Sequence, residues 1–211
     1  MTPVRALAPR RTPVQDRSAA TFEAIVEAAA QVFERHGYAA GTTNRIAQRA
    51  GVSIGSLYQY FPNKDAILVA LIERHVEEGE SALAPLIGRL AEHPAPSVGE
   101  ALERIVHSML ELHRKRPILD RVLFEEAPRP PRLRARLERI FELASAALAD
   151  YLASRPEVDV ADTRLAAEMV IQSIEAITHG LVIHPRAQIT PKAYARETVT
   201  MLERYLTRPG A

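Results

Sequence analysis

Apolar side chains recur at spacings of three and four residues along nearly the whole chain, and mainly glycines and prolines interrupt them. That rhythm matches the roughly 3.6-residue turn of an α-helix and leaves no strand a consistent face. No run alternates with period two and is rich in β-branched residues, and aromatics are only 5%. An all-α fold is therefore expected. Phe22, Ile25, Val26, Ala29, Val32 and Phe33 share one face of a first helix, which starts near Ser18 or Thr21 and ends at Gly37. A threonine hydroxyl caps a second, from about Thr43 to Ala50, with Gly51 as its stop. Ser53 caps a third, which runs through Tyr60. Pro62 breaks that helix, and Asn63 caps a long fourth beginning at Lys64. Pro94 and Pro96 precede a fifth, from about Ser97 to Arg116, and Pro117 opens a sixth that ends before Pro128. A seventh runs to about Ser154. Asp159 is placed as the cap of an eighth, Val160 to about Ile183, and Thr190-Pro191 opens a ninth to about Leu206.

Composition removes several classes of function. With 211 residues, 47% apolar and 25% charged, the chain can bury a sizeable core. It has no cysteine, which excludes disulfides, thiolate metal sites and cysteine nucleophiles. The longest apolar run, Ala66–Ile72, is far short of the roughly 20 residues of a membrane helix. Arginines near the N-terminus are followed by no apolar segment, so a secretory signal is not expected and a soluble cytoplasmic protein is. There is no phosphate-cradling glycine loop, nucleophile elbow or zinc-hydrolase signature, so no catalytic residue, resident metal or cofactor is assigned and an enzyme is not expected. The net charge of +1 conceals an asymmetry: residues 1–64 carry eight basic side chains against four acidic, the remainder 19 against 22. An anionic partner would meet the N-terminal third.

Residues 1–17 hold Pro3, Pro9 and Pro13 with Arg5, Arg10, Arg11 and Arg17, and are expected to form a mobile basic arm. Arg10 and Arg11 could enter a minor groove or attract phosphate, or the arm could be a disordered tail. The segment from Thr42 to Lys64 is more specific. It describes two short helices joined by a turn: Ile46, Ala47 and Ala50 face inward from the first, and Leu57, Tyr58 and Phe61 could do so from the second. Small Ala47 permits a close crossing, Gly51 supplies positive φ, Val52 plugs the corner and Ser53 caps the second of the pair. This is the pattern of a helix-turn-helix. Its second helix would expose Ser53, Ile54, Gly55, Ser56, Gln59 and Tyr60, with an N-terminus that favours anions. Gln59 suits base edges, the hydroxyls of Thr42, Thr43, Ser53, Tyr58 and Tyr60 suit phosphates, and Lys64 suits a phosphate clamp.

From Thr21 to Leu68 the chain resembles the DNA-binding domain of the TetR family of bacterial transcriptional regulators. The resemblance rests on Ile25, Ala28, Ala29, Phe33, Gly37, Tyr38, Thr42, Thr43, Ile46 and Ala47, continues through Ala50, Gly51, Val52, Ser53, Gly55, Leu57, Tyr58, Tyr60 and Phe61, and closes on Asn63, Lys64 and Leu68. It covers under a quarter of the chain. Beyond it, only length and helicity match, as for a variable effector domain. Beside the arm at 1–17, the resemblance implies a helix-turn-helix domain at 18–64 (motif about 43–61) and a helical effector-binding and dimerisation domain at 65–211. It also implies a homodimer that represses from a palindromic double-stranded operator and is released by a small effector. Thr43, Asn44, Ser53, Ile54, Gly55, Ser56, Tyr58, Tyr60 and Lys64 match the family's DNA-contacting positions. Ile54 and Gly55 carry no hydrogen-bonding side chain, so readout would lean on Asn44, Ser56 and Gln59. Affinity should fall steeply with salt, by roughly 0.9 log unit per phosphate contact per decade.

In the remainder, Ala166, Met169, Val170, Ile174, Ile177, Leu181 and Val182 form one apolar face, and Ala193, Tyr194, Val199, Leu202, Tyr205 and Leu206 another. They serve either the internal core or, as the family resemblance implies, a dimer joined through the last two helices. Candidate effector contacts are the polar residues set among apolar helix positions: His107, Glu111, Gln172, Glu175, Thr178 and His179, with His113 and Glu126 considered beside them. A hydrophobic or aromatic small molecule is the expected class. The alternative is a helical bundle that holds a small molecule or a single metal without binding DNA, since Glu103/His107 and Glu175/His179 share helix faces at four-residue spacing. In the regulator reading, ligand biases the fourth helix and changes the separation of two reading heads, which must sit about 34–36 Å apart or at a multiple of that. Pro85 could bend that helix.

Overall fold

The computed structural model describes residues 7–10, 16–92, 94–183 and 190–207, and within them the chain is helical almost throughout. These residues form nine α-helices in order: α1 Asp16–Ala40, α2 Thr43–Ala50, α3 Ile54–Tyr60, α4 Lys64–Leu90, α5 Val98–Arg114, α6 Pro117–Glu125, α7 Pro131–Ala153, α8 Thr163–Ile183 and α9 Pro191–Leu206. The all-α fold expected from the sequence is the fold observed.

Local chemistry sets most of the helix starts. Thr42, Ser53 and Thr190 each accept a backbone N–H from their own helix's first turn, and the Asn63 carboxamide oxygen accepts that of Ala66 at 2.8 Å. Ser97 and Glu100 form a reciprocal capping box at the start of α5. Gly51, at φ 68, closes α2 in the left-handed region. Gly37 is also left-handed (φ 69, ψ 175), but it breaks α1 without ending it, and helical turns resume as far as Ala40. Asp159 does not cap α8. Its N–H donates to the Leu206 carbonyl at 2.8 Å, and neighbouring Val158 forms an isolated bridge to Thr207. Asp162 takes the capping role, accepting the N–H groups of Arg164 and Leu165 at 2.9 and 3.0 Å.

Packing divides the chain into two units, residues 1–77 with 116–134 and residues 78–115 with 135–211. This division does not fall at the 64/65 boundary expected from the sequence. In packing terms, Ala66–Ile72 of α4 are buried within the first unit. There Ile25, Phe33, Ile46, Leu57, Phe61, Ile67, Leu68 and Leu71 make the core, and α6 docks on α1. The Leu119 N–H donates to the Glu34 carboxylate at 2.6 Å, and Arg116 pairs with Glu27 at 2.9 Å. In the second unit, Val98, Leu102 and Val106 of α5 share a core with Leu148 and Leu152 of α7, Ala166, Val170 and Ile174 of α8, and Leu202 and Leu206 of α9. The Tyr151 hydroxyl donates to the Pro96 carbonyl at 2.6 Å, which anchors the chain entering α5. No described helix is long and apolar enough to cross a membrane.

Candidate nucleic-acid interface

The α2–α3 pair is held from inside by Ile46, Ala47, Leu57 and Phe61, all nearly free of solvent. Phe22 of α1 stacks on Phe61, with ring centroids 4.9 Å apart. The Val52 N–H donates to the Ala47 carbonyl at 3.0 Å across the Gly51 turn, which fixes the angle between the helices. The opposite face of α3 is open: Ser53, Ile54, Gly55, Tyr58 and Gln59 are exposed and Ser56 is partly so. On α2, Thr42 and Asn44 are exposed, and the Thr43 hydroxyl lies 3.2 Å from that of Tyr58. One rim thus gathers Thr42, Thr43, Asn44, Tyr58 and the start of α3.

Of the two tyrosines, Tyr58 takes the outward of the two places open to it, and Tyr60 departs from the surface place expected. Tyr58, a candidate for inward packing, is 39% exposed, whereas Tyr60, expected on the surface, is 8% exposed. Tyr60 sits edge-on to Phe22 at 6.4 Å, and its hydroxyl lies 3.3 Å from that of Ser18. Positions 57, 60 and 61 share one helical face and 58 another, so phase decides and the hydroxyl does not. Ser53 is engaged twice, accepting the Ser56 N–H at 3.0 Å and lying 2.8 Å from the Ser56 hydroxyl. Lys64 folds back over the head, donating to the Tyr38 carbonyl at 2.6 Å with its ammonium 3.9 Å from the Tyr38 ring centroid. An ammonium has three N–H donors, so donors remain for a phosphate. The Tyr38 hydroxyl donates to the Asp65 carboxylate. Burial first, and then that carboxylate, raise the phenol above its ordinary pKa.

Two further basic side chains, Arg45 and Arg49, stand on the same helix as Thr43 and Asn44 and were not among the residues expected at the site. Both are exposed on α2; Arg45 donates to the Ala40 carbonyl at 3.0 Å and Arg49 to the Gln31 side chain at 2.6 Å. Their signal was the polar face of α2, opposite Ile46 and Ala47. Of the arm, Arg11 lies outside the described residues. Residues 7–10 are seated on the head, with Leu7 only 6% exposed.

The six effector candidates lie in the second unit and do not converge. His107 is exposed and turned to the carbonyl of Glu103 at 2.8 Å. Glu111 is an exposed partner of Arg114 at 2.9 Å, and Gln172 and Glu175 are exposed on α8. Thr178 is buried but donates to the Ile174 carbonyl of its own helix at 2.7 Å. His179 is buried against His113, with ring centroids 4.2 Å apart and planes at 62°. Buried Ser145 of α7, a further interior polar group, was not anticipated. Glu126, by contrast, is exposed on the first unit. Glu175 and His179 part in the same way, one to the surface and one inside.

Similarity to known proteins accords with this geometry. Residues 25–71 match the family described as bacterial regulatory proteins, tetR family, and residues 97–206 match the tetracyclin repressor-like C-terminal domain. The chain is 32% identical over 136 residues to the nucleoid occlusion factor SlmA of Vibrio campbellii, covering 63% of this chain and 67% of that protein. Against other SlmA proteins it spans about half of their length or less. In fold it is similar to a putative TetR-family transcriptional regulator from Mesorhizobium loti (TM-score 0.70, 18% identity, 92% of this chain and 100% of that one). It is also similar to FadR from Bacillus subtilis, a transcriptional regulator solved in complex with stearoyl-CoA (TM-score 0.65, 21% identity, 87% and 98%). With one family match on the reading head and a second spanning more than half of the residues, the chain belongs to the TetR family of bacterial transcriptional regulators.

Proposed function

We propose that the protein is a ligand-released repressor that binds a palindromic DNA operator as a homodimer and works in the cytoplasm, where its operator lies. The observation that carries the DNA-binding part is the exposed rim of α2 and α3. A rigid two-helix corner presents Asn44, Ser53, Ser56, Tyr58 and Gln59 outward while Leu57, Tyr60 and Phe61 anchor it. Thr42, Thr43, Tyr58 and Lys64 supply phosphate contacts; Asn44, Ser56 and Gln59 supply base readout, and Ile54 and Gly55 allow close approach to the groove floor. Tyr60 acts through packing. The dimer face favoured here is the outward stripe of α8 and α9, where Leu165 is 54% exposed, Met169 48%, Met201 51% and Tyr205 43%. Isolated apolar side chains on a surface are ordinary, but four on two adjoining helices suit an isologous interface.

The effector is a hydrophobic small molecule taken up by the second unit, where Thr178 and His179 of the expected set, with His113 and Ser145, supply interior polar groups. Acyl-CoA compounds are a reasonable first trial, given the ligand of the Bacillus subtilis regulator. Because α4 contributes to both units, a ligand that favours one course of its distal half is felt in the first unit through continuous backbone. Moving the protein from mostly bound to mostly free requires a preference of about 5 kcal/mol between the two states.

The test is selection of bound duplexes from a random library by the full-length protein, followed by titration of the enriched site. A two-fold symmetric site is expected, with affinity that Gln59→Ala or Asn44→Ala redirects at particular base pairs. No enrichment at low salt would overturn the reading in favour of the bundle without DNA binding, and unchanged preference in both variants would remove them from readout.

A further inference from the structure

Recognition helix α3 has seven residues, too short to be stable alone, so its ends must be satisfied by its surroundings. Ser53 serves the N-terminal end. At the other end, the Phe61 N–H closes on the Leu57 carbonyl at 2.9 Å, while the carbonyls of Tyr58 and Tyr60 face out of the helix. Both are met by one residue distant in sequence. The Arg10 backbone N–H donates to the Tyr60 carbonyl at 2.7 Å, and its guanidinium donates to the Tyr58 carbonyl at 3.3 Å. Three residues earlier, Leu7 is buried and fixes the segment in place. A cation beside the last carbonyls also complements the negative end of the helix dipole.

We infer that residues 7–10 are a strap across the C-terminal end of α3 and that Arg10 is a positioning residue for DNA recognition, acting through the helix and not by touching DNA. Residues 42–64 define the reading surface, but its orientation also depends on a segment more than thirty positions upstream. A free basic arm would contribute charge alone. A strap contributes order, because α3 is held in its bound conformation before DNA arrives and less freedom is lost on binding. The role in recognition rests on the proposed DNA binding; the strap itself does not.

The experiment uses full-length protein and separates the two. Amide exchange of Leu57 and Phe61 is followed without DNA in the natural protein and in Arg10→Ala, Arg10→Lys and Leu7→Ala. Loss of one such hydrogen bond should accelerate exchange about five-fold in Arg10→Ala, Leu7→Ala should move it the same way, and Arg10→Lys should recover most of the protection. Affinity for a duplex selected from a random library should fall several-fold in Arg10→Ala, while the slope of log affinity against log salt stays unchanged. A slope reduced by about 0.9 per head, with exchange unaltered, would make Arg10 a phosphate contact and overturn the inference. Exchange unaltered in both Arg10→Ala and Leu7→Ala would overturn it as well. If the natural protein binds no duplex while the exchange effects remain, the strap stands and the recognition role falls.

Discussion

A β-carbon at Gly41 would lie 2.4 Å from the Phe33 ring and 2.9 Å from the Gly37 carbonyl oxygen, so a side chain there displaces a core aromatic and meets fixed backbone. At Gly51 nothing lies within 4 Å of that position, but φ is +68. The two constraints differ in kind, one being space and the other conformation. Gly51→Ala should cost about 1–2 kcal/mol, the strain of a left-handed residue with a β-carbon. Gly41→Ala should cost about 1–3 kcal/mol through overpacking. Phe33→Leu should relieve part of the Gly41→Ala penalty and none of the Gly51→Ala penalty. Denaturant melts of the two double variants, compared with their single parents, measure that coupling. Equal coupling in both pairs would contradict the packing account.

Between elements, the contact of α1 with α4 and α6 turns on Glu27, which pairs with Arg116 at 2.9 Å and Arg74 at 3.2 Å and accepts from Gln31 at 3.1 Å. Partial burial pushes its carboxyl up, but the hydrogen bonds from Arg116 and Gln31, with both guanidinium charges, outweigh that and leave it below the ordinary 4.5. A depressed carboxylate stabilises the fold in full above the ordinary value and loses that contribution as pH falls through the folded one. The group is partly exposed and screened, so the effect is modest. Glu27→Gln should melt earlier than the natural protein at neutral pH, and the gap should close as the solution is acidified below 4.5. A gap that widens on acidification would reverse the assignment. What was legible in the sequence at this scale was whatever adjacent residues decide. Thr42, Ser53, Asn63 and Gly51 mark helix ends because their chemistry acts within three or four positions. The start of α8 was not legible, since the backbone of Asp159 is tied to the Leu206 carbonyl, some 47 positions away, and the cap falls to Asp162. Tyr60 was readable from its spacing to Leu57 and Phe61, although its hydroxyl suggested otherwise. The polar residues of the second unit were not: on a long helix, whether Glu175 or His179 turns inward depends on neighbours supplied by other elements, and periodicity does not name them.

For the whole molecule, the outward stripe of α8 and α9 leads to a prediction about assembly. Met169→Glu places a charge among apolar side chains that a two-fold interface would bury twice. It should halve the mass measured by light scattering and weaken binding to a symmetric duplex by more than about ten-fold, since each head then binds alone. Undiminished mass would direct the search to another face. The faces read from the sequence divide here: Ala166, Val170, Ile174, Leu202 and Leu206 go to the core, Met169 and Tyr205 to the outside, and Val182 lies beyond the described side chains. The discontinuous first unit has a consequence for anyone cutting or grafting this regulator. Its interior is completed by Leu119, Val122, Leu123 and Leu133, which the ribosome delivers only after all of α5. A fragment ended after residue 77 would therefore emerge with a bare apolar flank and a tendency to clump, and a chimera that borrows the helix-turn-helix must carry residues 116–134 along with it.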